Sequence, residues 1–380
     1  MHAGEATAGA ILTLNGGSST VKCALFSFEA EPKEVARHSF ASDGPVSLQP
    51  VQRWIDSHAA GSEIVAIGHR IVHGGATYVD PHIVTPHVRD DLRSLVPFAP
   101  NHLPPELALM DAAAAAYPHA MPCACFDTAF HATMPEVARR LPLPDEYVER
   151  GIRKYGFHGL SYAFLVEELR RVAGAAAADG RVILAHLGNG SSLAAVHRGR
   201  SVDTTMGLTP IGGMMMGTRT GDLDPGVVTY IGRTAALPAD AVEDLLSRAS
   251  GLLGVSGSTS DMKTLLEREQ TVPSCRLAIE MYVYSAAKAA GALCAALEGV
   301  DSIVFSGGIG EHAASIRARI LQRLTWLGID VDRAANDAHA PVISSPASRV
   351  SVRVIPTDEE RMIARATFRL AAARRHHHAD

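Results

Sequence analysis

Cysteine is sparse and follows no ligating pattern. The five cysteines stand at 23, 123, 125, 275 and 294. Their odd count and the lack of paired C-x-x-C spacing argue against a disulfide framework or a zinc ribbon, and reduced cytosolic thiols are the simpler account. Dense Lys/Arg runs are missing as well, and the net charge is −5, which disfavours a nucleic-acid partner. Long apolar runs are absent. The alanine-rich AAKAAGALCAAL carries Lys288 and is too short for a bilayer, so it reads as packed helix and no membrane partner is expected. The N-terminal MHAGEATAGA has neither a basic stretch nor a long apolar one, so no secretory signal is expected and a cytoplasmic location is. The terminal RRHHHAD is set aside from the argument.

What the chain does have is length and alternation. At 380 residues and 47% apolar composition it exceeds one ordinary core, and two domains are expected. Short apolar strand patterns (11–14, 21–28, 64–72, 182–186, 193–197, 302–305 and 351–355) alternate with helical stretches (105–117, 161–173, 239–250, 273–297 and 313–324). That alternation predicts an α/β architecture.

One motif occurs twice. ILTLNGGSSTVKCALF near the start and VILAHLGNGSSLAAVH at 182–197 each read as an apolar strand, a Gly/Asn turn ending in Ser-Ser, and an alternating strand. Asn-Gly between strands is also a common hairpin signal. Two copies in corresponding positions suggest a duplicated domain whose facing hairpins hold a polyphosphate. Glycines allow close backbone approach to an anion, and successive N–H groups form a concavity for it. Ser18, Ser19 and Thr20 add hydroxyl donors, and Lys22 adds a cation. The Walker spacing G-x-x-x-x-G-K-[ST] is absent, and a strand rather than a helix follows the turn.

Further residues stand where chemistry needs them. In GHRIVHGG, Arg70 closes an apolar strand; it either pairs with a nearby acid or clamps a carboxylate or phosphate in its two-pronged fork. His69 and His73 beside it read as structural. Asp127 follows a strand end in CFDTAFHATMP, where open α/β sheets face their ligand, although an aspartate there also suits a helix cap. His158 lies in the Gly-flanked turn YGFHGLSY and is a donor candidate for a developing anion. Arg219 sits in MMMGTRTGDLDPG, read as a loop with little bulk to bury, and is either solvated or aimed at a ligand. FSGGIGEH reads as strand, glycine turn and helix start, suited to an anion or to close packing. VIPTDEERMIA ends a strand in Asp358, Glu359 and Glu360, which either complement a helix dipole or position Mg²⁺ through water. Together these groups make an inventory for phosphoryl transfer.

LNGGSSTVK, GHRIVHGG, FDTAFHATMP, YGFHGLS, HLGNGSS, MMMGTRTGDLDPG, SGGIGE and PTDEE occur in this order along nearly the whole chain. In that combination the sequence resembles the acetate/propionate/butyrate kinase family. The resemblance implies the fold shared with sugar kinases, heat-shock ATPases and actin, with two similar α/β domains around a nucleotide cleft, and a homodimer. It implies an N-terminal domain of 1–127 plus 361–380 and a C-terminal domain of 131–358. It implies Mg²⁺ (or Mn²⁺) at Asn15 and Glu359, and ATP or ADP as substrate. Phosphate contacts would come from Lys22 and the turn His186, Leu187, Gly188, Asn189 and Gly190. Asp261, Met262 and Lys263, with Gly308, Ile309, Gly310, Glu311 and His312, would serve the adenosine side. Arg70 would bind the carboxylate, and Val72, Phe157 and Pro210 its methyl group. Asp127 matches the family's active-site aspartate, and His158 and Arg219 its transition-state stabilisers. The sequence departs from the family pattern at four positions: Asn101 replaces a pocket leucine, Lys263 an arginine, His312 an asparagine and Tyr162 a histidine.

The implied reaction is reversible phosphoryl transfer from ATP to acetate, giving acetyl phosphate and ADP, with domain closure excluding water. Propionate or butyrate is the alternative acid. A non-catalytic actin-like ATPase scaffold would also use two phosphate hairpins, but it has no use for a carboxylate-binding arginine. A sugar kinase would need a base for its hydroxyl nucleophile.

Overall fold

The computed structural model describes residues 9–16, 20–41, 48–59 and 61–377. Ser18 and Ser19 of the first hairpin turn lie outside the described residues. The chain divides into two compact units. The first runs through Phe130 and adds Gly159–Ser161 and the chain from Asp358; the second comprises His131–His158 and Tyr162–Thr357.

The first unit is built on a six-stranded sheet. Its strands are β1 (Gly9–Gly16), β2 (Thr20–Ser27), β3 (Glu34–Ala41), β4 (Glu63–Ile71), β5 (His82–Ile83) and β6 (Met121–Phe126). They lie in the order β3-β2-β1-β4-β6-β5. β1, β2 and β3 form an antiparallel meander, β4 and β6 run parallel to β1, and β5 is antiparallel to β6. Side chains alternate across the sheet with period two. Leu12, Leu14, Cys23 and Leu25 face Val51, Trp54, Ile55, Leu109 and Ala113. Ile11, Ala24 and Phe26 meet Ala364 and Phe368 of the C-terminal helix Glu359–His377. Gly68 makes room for that helix: a Cβ there would lie 2.3 Å from Thr367 Oγ1 and 2.4 Å from Ile363 Cγ2.

The second unit holds β7 (Arg181–Leu187), β8 (Ser191–His197), β9 (Arg200–Thr204), β10 (Ser302–Ser306) and β11 (Ser351–Val354), in the order β11-β10-β7-β8-β9. β7, β8 and β9 form an antiparallel meander, and β10 and β11 run parallel to β7. Leaving aside β5, the two sheets have one topology: a three-stranded antiparallel meander extended beyond its first strand by two strands parallel to it. The repeated hairpin motif thus sits at the same place in both sheets. The 24-residue helix Pro273–Ala296 buries Cys275, Ile279, Tyr282, Val283, Ala286, Ala290 and Leu293 at helical spacing. This face packs with Ile183, Leu193, Ile303 and Phe305 of the sheet; a fully buried side chain of this size contributes about 1.5–3 kcal/mol.

The elements expected at 105–117, 161–173, 239–250, 273–297 and 313–324 are the helices Leu103–Ala116, Gly159–Ala173, Ala239–Arg248, Pro273–Ala296 and Ala314–Gln322. β3, β5 and β9 carry no apolar run and were not foreseen, and β6 was foreseen only by its end before Asp127. All five cysteines are buried and free.

Candidate functional site

In the first unit, register brings the motif residues to one edge of the sheet. Leu14 pairs with His69, and Arg70 with Cys125. The C-terminal ends of parallel β1, β4 and β6 therefore carry Asn15, Arg70 and, one residue beyond β6, Asp127. Such ends face the ligand in open α/β sheets.

Arg70 is mostly buried and held by acids. Its Nε and Nη2 donate to Asp127 Oδ2 at 3.0 and 2.5 Å. Its Nη1 donates to Glu106 Oε1 at 3.2 Å and to the Gly16 carbonyl at 3.3 Å. Burial opposes the guanidinium charge, but Asp127, Glu106 and Glu359 outweigh it and hold the pKa above its ordinary value. Glu106 was not foreseen. It is the one acid in the apolar run LPPELALM, and its second oxygen accepts the Val72 N–H at 2.8 Å. Val72 itself is buried. His69 and His73 are buried too; burial pushes His69 down to about 4, and His73 Nδ1 accepts the Gly75 N–H at 2.9 Å. Both fit the structural reading.

Asn15 Nδ2 donates to Glu359 Oε2 at 3.0 Å and to Glu360 Oε1 at 3.2 Å. Lys22 is the cross-strand partner of Asn15, and its charge bears on Glu360. Arg37 on β3 binds Asp358 at 2.7 Å and Glu360 at 3.3 Å, and Asp358 Oδ1 accepts the Arg361 N–H at 3.2 Å at the helix start. Among the described residues no group of three or more His, Cys, Asp or Glu is placed to hold a metal. An amide oxygen with one or two carboxylates suits Mg²⁺, which keeps its waters and binds largely through substrate phosphates. The residues at Asn15 and Glu359 fit such an ion.

In the second unit, His158 has φ +59° in the left-handed region, directly before the helix Gly159–Ala173. Its Nδ1 lies 2.9 Å from Ser192 Oγ, and its ring stacks on His186 with centroids 4.3 Å apart. Ser192 Oγ also meets the buried Tyr162 hydroxyl at 2.5 Å. Behind Phe157, His131 Nε2 bonds the Phe157 carbonyl at 2.9 Å and its Nδ1 bonds Ser201 Oγ at 2.8 Å. With Nε2–H donating to the carbonyl, Ser201 donates to Nδ1. Burial pushes His131 down to about 4. His131 and Ser192 were not singled out in the sequence, although both lie inside the motifs FDTAFHATMP and HLGNGSS.

The β7–β8 turn gathers two of the predicted residues. A Cβ on Gly190 would lie 3.3 Å from His158 Nε2 and 3.5 Å from Arg219 Nη1. Arg219 Nη1 donates to the Pro210 carbonyl at 3.0 Å. The Asn189 carbonyl accepts the Gly217 N–H at 2.9 Å and so ties the arginine loop to the turn. That loop is not empty of bulk, contrary to expectation: Met214, Met215 and Met216 are buried, and they anchor it. Leu187 is buried at the end of β7, and Gly188 N donates to the Gly190 carbonyl at 3.0 Å.

The remaining predicted residues are engaged locally. Gly308, Ile309 and Gly310 belong to the short helix Gly307–His312. Glu311 Oε1 accepts the first N–H of that helix, Gly307, at 2.8 Å. His312 is exposed. Asp261 caps the helix Met262–Arg268, accepting the Thr264 N–H at 2.8 Å and its hydroxyl at 2.6 Å. Lys263 is exposed and Met262 buried beside it. Val72 belongs to the first unit, and Phe157 and Pro210 to the second.

Comparison with known proteins places this arrangement. The sequence profile of the acetokinase family matches residues 43–365. A protein named acetate kinase from Rhodopseudomonas palustris (strain TIE-1) is 45% identical over 95% of this chain and 98% of its own length. One of the same name from Deinococcus radiodurans is 40% identical over 96% and 98%. Among solved structures, Porphyromonas gingivalis acetate kinase superposes with a TM-score of 0.84 at 34% identity, over 96% of this chain and 100% of that one. A propionate kinase from Francisella tularensis gives 0.85 at 33%, over 94% and 99%. The fold is that of the two-domain actin-like ATPases. With a family profile spanning most of its length and relatives aligned nearly end to end, this chain belongs to the acetokinase family.

Proposed function

We infer that this chain catalyses reversible transfer of the γ-phosphoryl group of ATP to acetate, giving acetyl phosphate and ADP. The observation that carries the reading, beside family membership, is the approach of His158 and Arg219 to the glycine turn at Gly190. Two cationic or donor groups at a phosphate-type turn suit charge developing on a transferred phosphoryl group.

The acid needs no base, since a carboxyl group with a pKa near ~4 is ionised at neutral pH. The barrier lies in bringing two anions together. In this reading Arg70 binds the acid's carboxylate, Lys22 and the 186–190 turn contact the phosphates, and His158 and Arg219 stabilise the in-line transition state. Asp127, held on Arg70, aligns the reacting groups. Val72, Phe157 and Pro210 serve the acid's methyl group. Asp261–Lys263 and Gly308–His312 serve the adenosine. Asn15 and Glu359 would hold Mg²⁺ (or Mn²⁺), which supplies neutralising charge to the phosphates. The protein works in the cytoplasm, a reading its five free thiols support. It works as a homodimer, for which exposed Leu277, Met281 and Tyr284 on one face of the helix Pro273–Ala296 offer an apolar surface.

A second acid is favoured by one observation: the Francisella tularensis structure with a TM-score of 0.85 is that of a propionate kinase. One methylene is worth about 0.8 kcal/mol, so a several-fold preference either way is expected. Hydroxylamine trapping with Mg-ATP and a panel of C2 to C4 acids tests the assignment. Hydroxamate formed fastest with acetate supports it; ATP hydrolysis without hydroxamate from any acid overturns it.

A further inference from the structure

Arg70 has little donor capacity to spare. A guanidinium carries five N–H groups; Asp127 takes two of them, and Glu106 and the Gly16 carbonyl take one each. Glu106 is the unexpected partner. It enters from the first turn of the helix Leu103–Ala116 and is 3% exposed. One of its oxygens lies on Arg70 and the other on the Val72 N–H. A carboxylate bridging a guanidinium and a backbone N–H occupies the kind of donor pair that an acid substrate needs. With all three ionised, Arg70, Asp127 and Glu106 sum to −1, which repels another carboxylate.

We propose that Glu106 determines acid affinity by competing with the substrate for Arg70: its ionised carboxylate holds Nη1 and the Val72 N–H, and acid binds tightly only when Glu106 is neutral. The proposal rests on Arg70 being the acid's ligand. Burial pushes the Glu106 carboxyl up to about 8, and Asp127 adds to the rise, while Arg70 and the Val72 N–H oppose it. The charged groups facing it are Arg70 from β4 and Asp127 beyond β6. β1 offers the Gly16 carbonyl, and the neighbouring helix Pro86–Ser94 turns its Arg89 to Asp111. The competitor therefore ionises within the range of ordinary assays.

The test is KM for acetate and for ATP between pH 7 and 9, in the wild-type protein, Glu106→Gln and Arg70→Ala. In wild type the acetate KM rises about tenfold across that range, as a competing group titrating near the middle requires, while the ATP KM holds steady. Glu106→Gln keeps the acetate KM flat and about tenfold below wild type at pH 9. A Glu106→Gln variant with an acetate KM at or above wild type, or with the wild-type slope, overturns the proposal. Should that variant not fold, the wild-type profile decides alone, and a flat acetate KM overturns it. Arg70→Ala separates the two levels. If it raises the acetate KM at every pH, Arg70 stands as the acid's ligand even where Glu106 fails. If it leaves the acetate KM unchanged, the Arg70 reading fails, and this proposal with it.

Discussion

The Ser192 hydroxyl lies 2.9 Å from His158 Nδ1. That contact fixes the side of the imidazole that does not point toward Gly190. The second nitrogen, Nε2, is the one near the turn, and its position depends on a serine that is itself held by Tyr162 at 2.5 Å. A residue in the left-handed region, a serine on β8 and a tyrosine in the following helix thus aim a single ring.

Tyr162→Phe removes the outer link of this chain. The ring volume is kept, but the buried hydroxyl's bonds to Ser192 and to the His186 backbone are both lost, so stability falls by about 1–3 kcal/mol. Turnover falls several-fold, with KM for ATP near wild type. Steady-state kinetics and a thermal melt check both; unchanged turnover would remove Tyr162 from the positioning of His158.

Arg219→Ala is expected to lower kcat by about 10²–10³-fold, the usual loss on deleting one preorganised donor. Its contacts with the Pro210 carbonyl and the Met216 sulfur are local, so the melting temperature moves little. A variant with wild-type kcat takes Arg219 out of the mechanism.

Two buried histidines, His69 and His131, are each pushed down to about 4, in both cases by burial first. A folded pKa below the unfolded value near ~6.5 means that the unfolded chain binds more protons at mildly acidic pH. Stability is thus held above about pH 6.5 and lost as pH falls from there toward 4. Urea unfolding at pH 7, 6 and 5 measures the slope, and His69→Gln should reduce it. An acid limb unaltered by His69→Gln contradicts the assignment.

Gly68→Ala places a methyl 2.3 Å from Thr367 Oγ1 and 2.4 Å from Ile363 Cγ2. The C-terminal helix must then shift from β4, at a cost of about 1–3 kcal/mol for overpacking. The readout is the urea midpoint. Thr367→Ser, which keeps the oxygen and drops the methyl, is not expected to rescue it; Thr367→Ala should recover part of the loss.

Much of the fold was legible because its signals are local. Apolar runs and helical spacing located the central strands and the long helices to within a few residues. The strands that escaped are edge strands. β3 carries Glu34, Arg37 and His38 on a largely exposed ribbon, and β9 opens with an exposed arginine; edges use charge to discourage unwanted pairing, which erases the apolar pattern. The methionines before Arg219 were misjudged for a related reason: a glycine-rich stretch reads as a loop, and whether its bulky residues are buried depends on what lies beneath.

The sequence by itself determined the repeated strand–turn–strand unit and the two α/β halves, and it supplied the candidate groups for phosphoryl transfer, because turn chemistry and side-chain periodicity act over a few residues. Only the tertiary structure decided which charges meet. It set Asn15 against Glu359 across 344 positions and Arg37 against Glu360 across 323. It brought Glu106 to Arg70, 36 residues away. Such pairings follow from which strands and helices become neighbours when apolar faces are buried, and a buried acid beside an arginine takes its pKa from that neighbourhood rather than from its place in the chain.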